Sequence, residues 1–245
     1  MRRRTQPSTR LLPDGTPLQN RLLAALPTID YDRMARHLRL RATLVGDTLH
    51  EHGTRIENVY FPNGGVYSVT NQMRDGALVE VATVGREGML GVGVFLGDRS
   101  ASGRTLQQVP DGRVVALAIA PFLRETACGR TFRELMARYA QATLLQTMQC
   151  TACNALHDVS QRCCRWLLQI HDRIDGDDFL LKQEFLAIML GVRRPTVTVV
   201  LRALQETGLI ANRYGRMRVL KRKSLEAASC ECYATIRGHF ARLGL

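Results

Sequence analysis

Residues 183–210 read QEFLAIMLGVRRPTVTVVLRALQETGLI, two short apolar-periodic segments on either side of Leu190-Gly191-Val192. In the first, Phe185, Ile188 and Met189 share a helical face, and Gly191 supplies a stop. In the second, Val197, Val200, Leu201 and Leu204 follow helical steps. Pro195 has no N–H to lose in a first turn, so this helix begins at Arg194 or Pro195. The residues left facing outward are Arg193, Arg194, Thr196, Thr198 and, one turn on, Arg202. A short helix, a glycine turn and a second helix with a basic, polar N-terminal face predict a helix-turn-helix. In the major groove an arginine forks a guanine edge, and a threonine offers a hydroxyl and a methyl.

The next segment of the chain supports that reading. ANRYGRMRVLK places two short strands about Tyr214-Gly215, which predicts a wing. Arg213, Arg216, Arg218, Lys221, Arg222 and Lys223 lie on or beside it, where they can neutralise phosphates. The net charge is +12, and residues 182–223 hold ten Lys/Arg against two Glu. The first 20 residues contribute four arginines and one aspartate, so residues 21–181 are close to neutral. A positive field confined to one block is the footprint of a polyanion-binding module on a near-neutral companion. A solvated helical hairpin would explain the arginines but not that concentration.

The remainder of the 245 residues changes character in stages. Residues 1–19 are basic, proline-containing and aperiodic, and read as a flexible tail. Asn20 and Asp30 are candidate caps for two short helices. From Leu40 the period becomes that of strands. NVYFPNGGVYSVT predicts a hairpin about Asn63-Gly64-Gly65, and ALVEVATV alternates. GVGVFL, RTLQQV and RVVALAIA are further strand candidates, the last after a turn at Pro110-Asp111-Gly112. Short strands at such spacing predict a β-roll. From Gly129 the pattern is helical for nearly thirty residues. Phe132, Leu135, Tyr139, Ala142, Gln146, Gln149, Cys153 and Leu156 step by three and four, as a coiled-coil seam does. The expected use of that seam is dimerisation; the plainer alternative lays it across its own roll. Asp158 or Ser160 can cap the next helix, and Ser224 can cap a last one running to Leu243.

From these residues the chain resembles the Crp–Fnr family of bacterial transcription regulators over nearly everything from Asn20 to Lys223. The expected fold is α+β: a basic tail at 1–19, a cyclic-nucleotide-binding-like jelly roll at 20–128, a long dimerisation helix at 129–157, and a C-terminal winged helix-turn-helix with a final helix at 158–245. The resemblance implies double-stranded DNA with a two-fold symmetric site, a second copy of the chain and RNA polymerase as partners. The family's recognition helix often opens Ser-Arg-Glu-Thr-Val; here Arg194 and Thr196 match, while Pro195 replaces the glutamate that would accept from cytosine. The expected operator therefore differs.

The sensor half departs further from the family. Nucleotide-binding members carry Gly-Glu-Leu for the ribose and Arg-Ser/Thr-Ala for the phosphate. Here Val92 stands after Gly91, and Arg99-Ser100-Ala101 falls a few residues early. That argues against an ordinary cyclic-nucleotide site, leaves Arg99 and Ser100 as the only effector candidates, and predicts no cofactor. GREGMLG reads as structural, its glycines serving a turn.

The seven cysteines include none before Cys128, unlike the family's oxygen sensors. Cys150 and Cys153, one turn apart on the long helix, are the candidates for a thiol- or metal-responsive input. Cys163-Cys164 and Cys230-x-Cys232 read as buried packing residues, and His157 and His171 as helix-end residues. No nucleophile elbow, phosphate-binding loop or His-Glu-x-x-His motif suggests an enzyme. The basic N-terminus lacks the apolar core of a secretory signal and no apolar run approaches a membrane span, so the expected location is the cytoplasm.

Overall fold

Two strands of 15 residues each, β3 (Asn58–Gln72) and β5 (Arg104–Ala118), pair antiparallel along most of their length and organise the N-terminal half. We describe the chain from a computed structural model covering residues 10–76 and 78–244. β1 (Arg39–Ala42) pairs with one end of β5 and β2 (Thr48–His50) with the other, while β4 (Leu78–Val84) lines the second half of β3. The result is a curled five-stranded antiparallel sheet in the order β1-β5-β3-β4, with β2 also on β5.

Two expected turns are bulges inside these strands. The register shifts between Pro62 and Val66, so Asn63-Gly64-Gly65 and Pro110-Asp111-Gly112 bend β3 and β5 without ending them. The glycines are needed because the backbones nearly touch. Gly65 has φ 69°, and a Cβ on it would stand 2.9 Å from Gly112 Cα. GVGVFL is likewise no strand: Val92–Val94 form a 3-10 turn after a left-handed Gly91.

The expected tail is shorter than its sequence suggests. Residues 1–9 lie outside the described residues, but Leu12 and Leu18 are buried in the roll's core. Arg10 lies over the Tyr31 ring at 5.0 Å and donates to the Leu23 and Ala24 carbonyls. Asn20 caps α1 (Arg21–Ala24) through Leu23 N–H, as expected, and its amide also donates to the Pro62 and Gly88 carbonyls. Asp30, expected as a cap, lies inside the first turn of α2 (Thr28–Ala35).

After α3 (Ile119–Cys128), the long helix α4 spans Arg130–Leu156. Most of the expected dimer seam is buried within its own chain. Phe132 meets Phe122 edge-on at 5.7 Å, Tyr139 Oη donates to Met89 O at 2.9 Å, and Gln146 donates to Thr83 O. The helical period holds, but the stripe packs within its own chain, first on Phe122 and the roll and, toward its end, on Cys230 and Cys232. Leu156, at the seam's end, is 80% exposed.

α5 (Val159–His171), capped by Asp158, is the keystone: Cys163 through His171 are all buried. On one side Trp166 Nε1 donates to Glu80 Oε2 at 2.7 Å. Burial pushes the Glu80 carboxyl up, while bonds from Ser68, Thr83 and Trp166 oppose that shift. Just beyond α5, Arg173 forms a buried ion pair with Glu87 at 2.8 Å, and Glu87 also accepts from Gly85 N–H. On the other side α5 packs with β6 (Asp178–Leu180), α6 (Gln183–Leu190) and α7 (Arg194–Glu206) in a second core, which Val66 and Val109 of the roll also enter. β7 (Ile210–Arg213) and β8 (Arg216–Val219) complete a three-stranded sheet ordered β6-β8-β7.

The single final helix expected from Ser224 is instead two. α8 (Arg222–Ala228) ends where the Ser229 hydroxyl donates to Glu226 O, Cys230 turns inward, and α9 (Cys232–Ala241) then packs along α4.

Replacing Arg173 by Leu leaves Glu87 buried and unpaired, so Arg173→Leu is expected to cost about 3–5 kcal/mol in urea unfolding. Replacing Glu87 by Leu as well should recover most of that loss. An equal loss in the single and double variants would show that the pair is not what holds this junction.

Candidate nucleic-acid interface

α6 buries Leu186, Ala187, Met189 and Leu190; Phe185 and Ile188, expected to share that face, are only half-buried. The helix stops at Gly191, whose φ of 62° and ψ of 38° form a left-handed cap. Val192 and Arg193 then carry the chain into α7, with Pro195 in its first turn as the sequence indicated. Val197, Leu201 and Leu204 hold α7 against the second core.

This packing aims the expected residues outward. Arg193, Arg194, Thr196, Thr198 and Arg202 are all exposed. Arg194 stands 3.2 Å from Glu184 on α6, and Arg202 pairs with Glu206 one turn on. Both pairs are open to solvent and weak enough to be exchanged for a ligand. The Thr198 hydroxyl donates to Gln183 Oε1 at 2.9 Å. Sequence reasoning missed one member of this face. Val199 is 69% exposed, an apolar side chain among polar ones. A break in the helical apolar period at a bare valine was the signal for it.

The wing flanks the same side. Tyr214 (φ 49°) and Gly215 (φ 75°) make the paired positive-φ turn favoured in two-residue hairpins. Arg213 and Arg216 are exposed beside it. A cleft lined by Lys182, Gln183, Arg194, Thr198, Arg202 and Tyr214 separates the wing from the two helices.

Two of the cations expected on phosphates are already engaged within the chain. Arg218 makes a bidentate pair with Asp178 of β6, both bonds 2.7 Å, and its guanidinium holds that carboxyl below the usual carboxylate range. Arg222, expected on a phosphate, is half-buried among Asp172, Glu226, Tyr233 and His171. It is a structural tie between α8 and the end of α5.

In the N-terminal roll, Arg99 and Ser100 are exposed on the loop after the 3-10 turn, where Ser100 N–H donates to Asp98. The glycines of GREGMLG have structural work: a Cβ on Gly88 would overlap the Tyr139 hydroxyl. Cys150 and Cys153 do not act as a pair. Cys150 lies 3.6 Å from Arg165, and burial pushes its thiol up to about 11. Cys153 points to Cys230, with Sγ atoms 3.5 Å apart. Cys163 and Cys164 are buried, as expected, and burial raises both thiols.

Comparison with known proteins agrees with this geometry. Residues 161–228 match the Crp-like helix-turn-helix domain. No curated protein sequence matches the chain. Among solved structures, a CRP-family transcriptional regulator from Thermus thermophilus is 20% identical, covering 78% of this chain and 96% of its own, with a TM-score of 0.65. FixK2 from Bradyrhizobium japonicum is 13% identical over 79% of this chain and 98% of its own, at 0.69. The c-di-GMP responsive regulator CLP from Xanthomonas campestris is 18% identical over 79% and 99%, at 0.60. At these identities the likeness is one of fold.

Arg216 on the wing and Arg222 on α8 should separate experimentally. Arg216→Ala is expected to weaken binding to all DNA sequences and to lower the salt slope by about 1. Arg222→Ala should leave that slope unchanged and lower stability by roughly 1.5–3 kcal/mol, as loss of hydrogen bonds to charged groups does.

Proposed function

The chain has the fold of the Crp–Fnr transcription regulators and carries a Crp-like helix-turn-helix domain, and on that premise we propose that it is a homodimeric, sequence-specific DNA-binding regulator. The observation that carries the reading is the outward face of α7, where cations, hydroxyls and one bare valine stand together on a helix whose opposite face is buried. α7 enters the major groove by its N-terminal end. Arg194 takes a guanine edge, Val199 and the methyl of Thr196 rest on thymine methyls, and Thr198 and Arg202 reach neighbouring polar edges. Arg193, Arg213 and Arg216 sit on the flanking phosphates and fix the register. Arg218, paired with Asp178, steadies the wing that carries Arg213 and Arg216. Pro195 donates and accepts nothing at its position, so the base opposite it is read by shape or not at all.

The dimer rests on the face of α4 turned away from the roll. Leu144 and Met148 are each 60% exposed there. Ala137 lies seven residues before Leu144 and Ala155 seven after Met148, both exposed. That is a heptad stripe, and a second copy lying along it would bury it. Two recognition helices would then meet half-sites about one helical turn, roughly 34 Å, apart.

Selection from random DNA should return a two-fold symmetric sequence whose affinity falls steeply with salt. Arg194→Ala is expected to cost about 1–3 kcal/mol and to relax the preference at one base per half-site. Leu144→Asp with Met148→Asp should give a folded monomer in sedimentation and a large loss of affinity. A wild-type chain that stays monomeric, or binding indifferent to salt, would overturn the reading.

A further inference from the structure

Three cysteines and a histidine distant in sequence converge at the junction between the long helix and the C-terminal pair. Cys153 and His157 are four residues apart at the end of α4, so they share a face. Cys230 lies between α8 and α9, and Cys232 is the first residue of α9. The three thiols are buried, His157 is half-buried, and all are free of disulfides. Cys153 and Cys230 Sγ are 3.5 Å apart, Cys232 Sγ is 3.6 Å from His157 Nδ1, and all four donor atoms lie within 4.8 Å of one another.

We infer that Cys153, His157, Cys230 and Cys232 form a tetrahedral site for a single zinc ion that clamps the C-terminal helices to the long helix. Zinc–sulfur bonds near 2.3 Å and zinc–nitrogen bonds near 2.0–2.1 Å put the donors of a tetrahedral site about 3.5–3.8 Å apart. The four atoms here need close by only about 1 Å at most to meet that spacing. Iron–sulfur clusters, which attach their cysteines to different irons, call for a wider set of thiolates. Three thiolates and an imidazole form the soft, closed donor set of structural zinc sites.

The surroundings fit that ion. His157 offers Nδ1 to the thiols, and its Nε2 lies 3.2 Å from the Glu231 carboxylate, the outer partner that fixes a ligating imidazole. The Gln149 amide donates to Cys232 Sγ at 3.0 Å. Three thiolates around a dication leave one negative charge, and a cation stands ready to balance it. Arg165 is 5% exposed, its charge acts on Cys150 and then on Cys153, Glu80 and Cys230, and its Nε has no hydrogen-bond partner among the described residues. If the thiols served only as small apolar packing, neither the imidazole nor the amide would need to face sulfur. A Cys153–Cys230 disulfide would leave Cys232 and His157 without a role.

Two ligands precede the DNA-binding unit in sequence and two come after it, so the ion would close that unit into a loop tied at the α4–α5 junction. Occupancy would then help fix how the recognition helices are presented. The site itself stands on ligand geometry and does not depend on the DNA reading.

The full-length chain, produced with zinc and iron available and purified anaerobically without chelator, is expected to carry one zinc per chain by elemental analysis and native mass spectrometry. Its cobalt-substituted form should show the intense visible bands and near-ultraviolet thiolate charge transfer of a tetrahedral, sulfur-rich site. Cys232→Ser and His157→Ala should each weaken zinc at least tenfold in competition with a chelating dye, while Cys150→Ser leaves it unchanged. The cobalt spectrum needs no substitution, so it decides the matter even if the variants misfold. A chain that binds neither zinc nor cobalt, a hexacoordinate cobalt spectrum, or iron with acid-labile sulfide in place of zinc would overturn the proposal. All of these are read without DNA, so a failure to find an operator would leave the result standing.

Discussion

The buried ion pair between Arg173 and Glu87 joins two halves of very different chemistry. Glu87 belongs to the roll, and its carboxylate also takes the Gly85 N–H; Arg173 comes just after the helix that carries the second core. Charges this deep are costly unless paired and hydrogen-bonded, so the pair penalises any arrangement that separates the halves. Trp166 on Glu80 and Arg86 on Asp175 cross the same junction. α5 can therefore be buried over nine consecutive residues, Cys163–His171, polar ones included. The helix-turn-helix is held by a helix that almost no solvent reaches.

The parts of the fold set by local chemistry were legible in the sequence. Gly191 and Pro195 bracket a turn that only a few backbone conformations allow, and the outward arginines and threonines follow from helical period once the apolar face is assigned. The wing was legible through Tyr214-Gly215. Long-range packing was not. Asn63-Gly64-Gly65 carries the signal of a hairpin, but here its glycines let two long strands pass at close quarters. A period of three and four on α4 shows that a stripe is buried without showing against what. Tyr139 and Gln146 find the roll, and the apolar side chains left exposed, Leu144 and Met148, form a quieter stripe.

The thiol cluster shows the same limit at the scale of a site. Cys150 and Cys153 look paired because they are near in sequence, yet they belong to different surroundings. The informative spacing was Cys153-x-x-x-His157, which puts two donors on one helical face, taken with Cys230-x-Cys232. Nothing local says that these two segments meet. That depends on the break after α8, which sends α9 back along α4.

The positive block at residues 182–223 overstates what DNA would experience. The chain just before it reads Asp172-Arg173-Ile174-Asp175-Gly176-Asp177-Asp178, and the fold sets two of these carboxylates against the block. Asp178 holds Arg218 and Asp172 holds Arg222. A cation neutralised within the protein displaces no counterion from a phosphate, so the number of ions released on binding must fall below the number of basic side chains nearby. Folding thus trims the non-specific attraction while leaving the outward polar face of α7 uncovered. The same two aspartates that steady the wing and α8 lower the pull of this block on any polyanion.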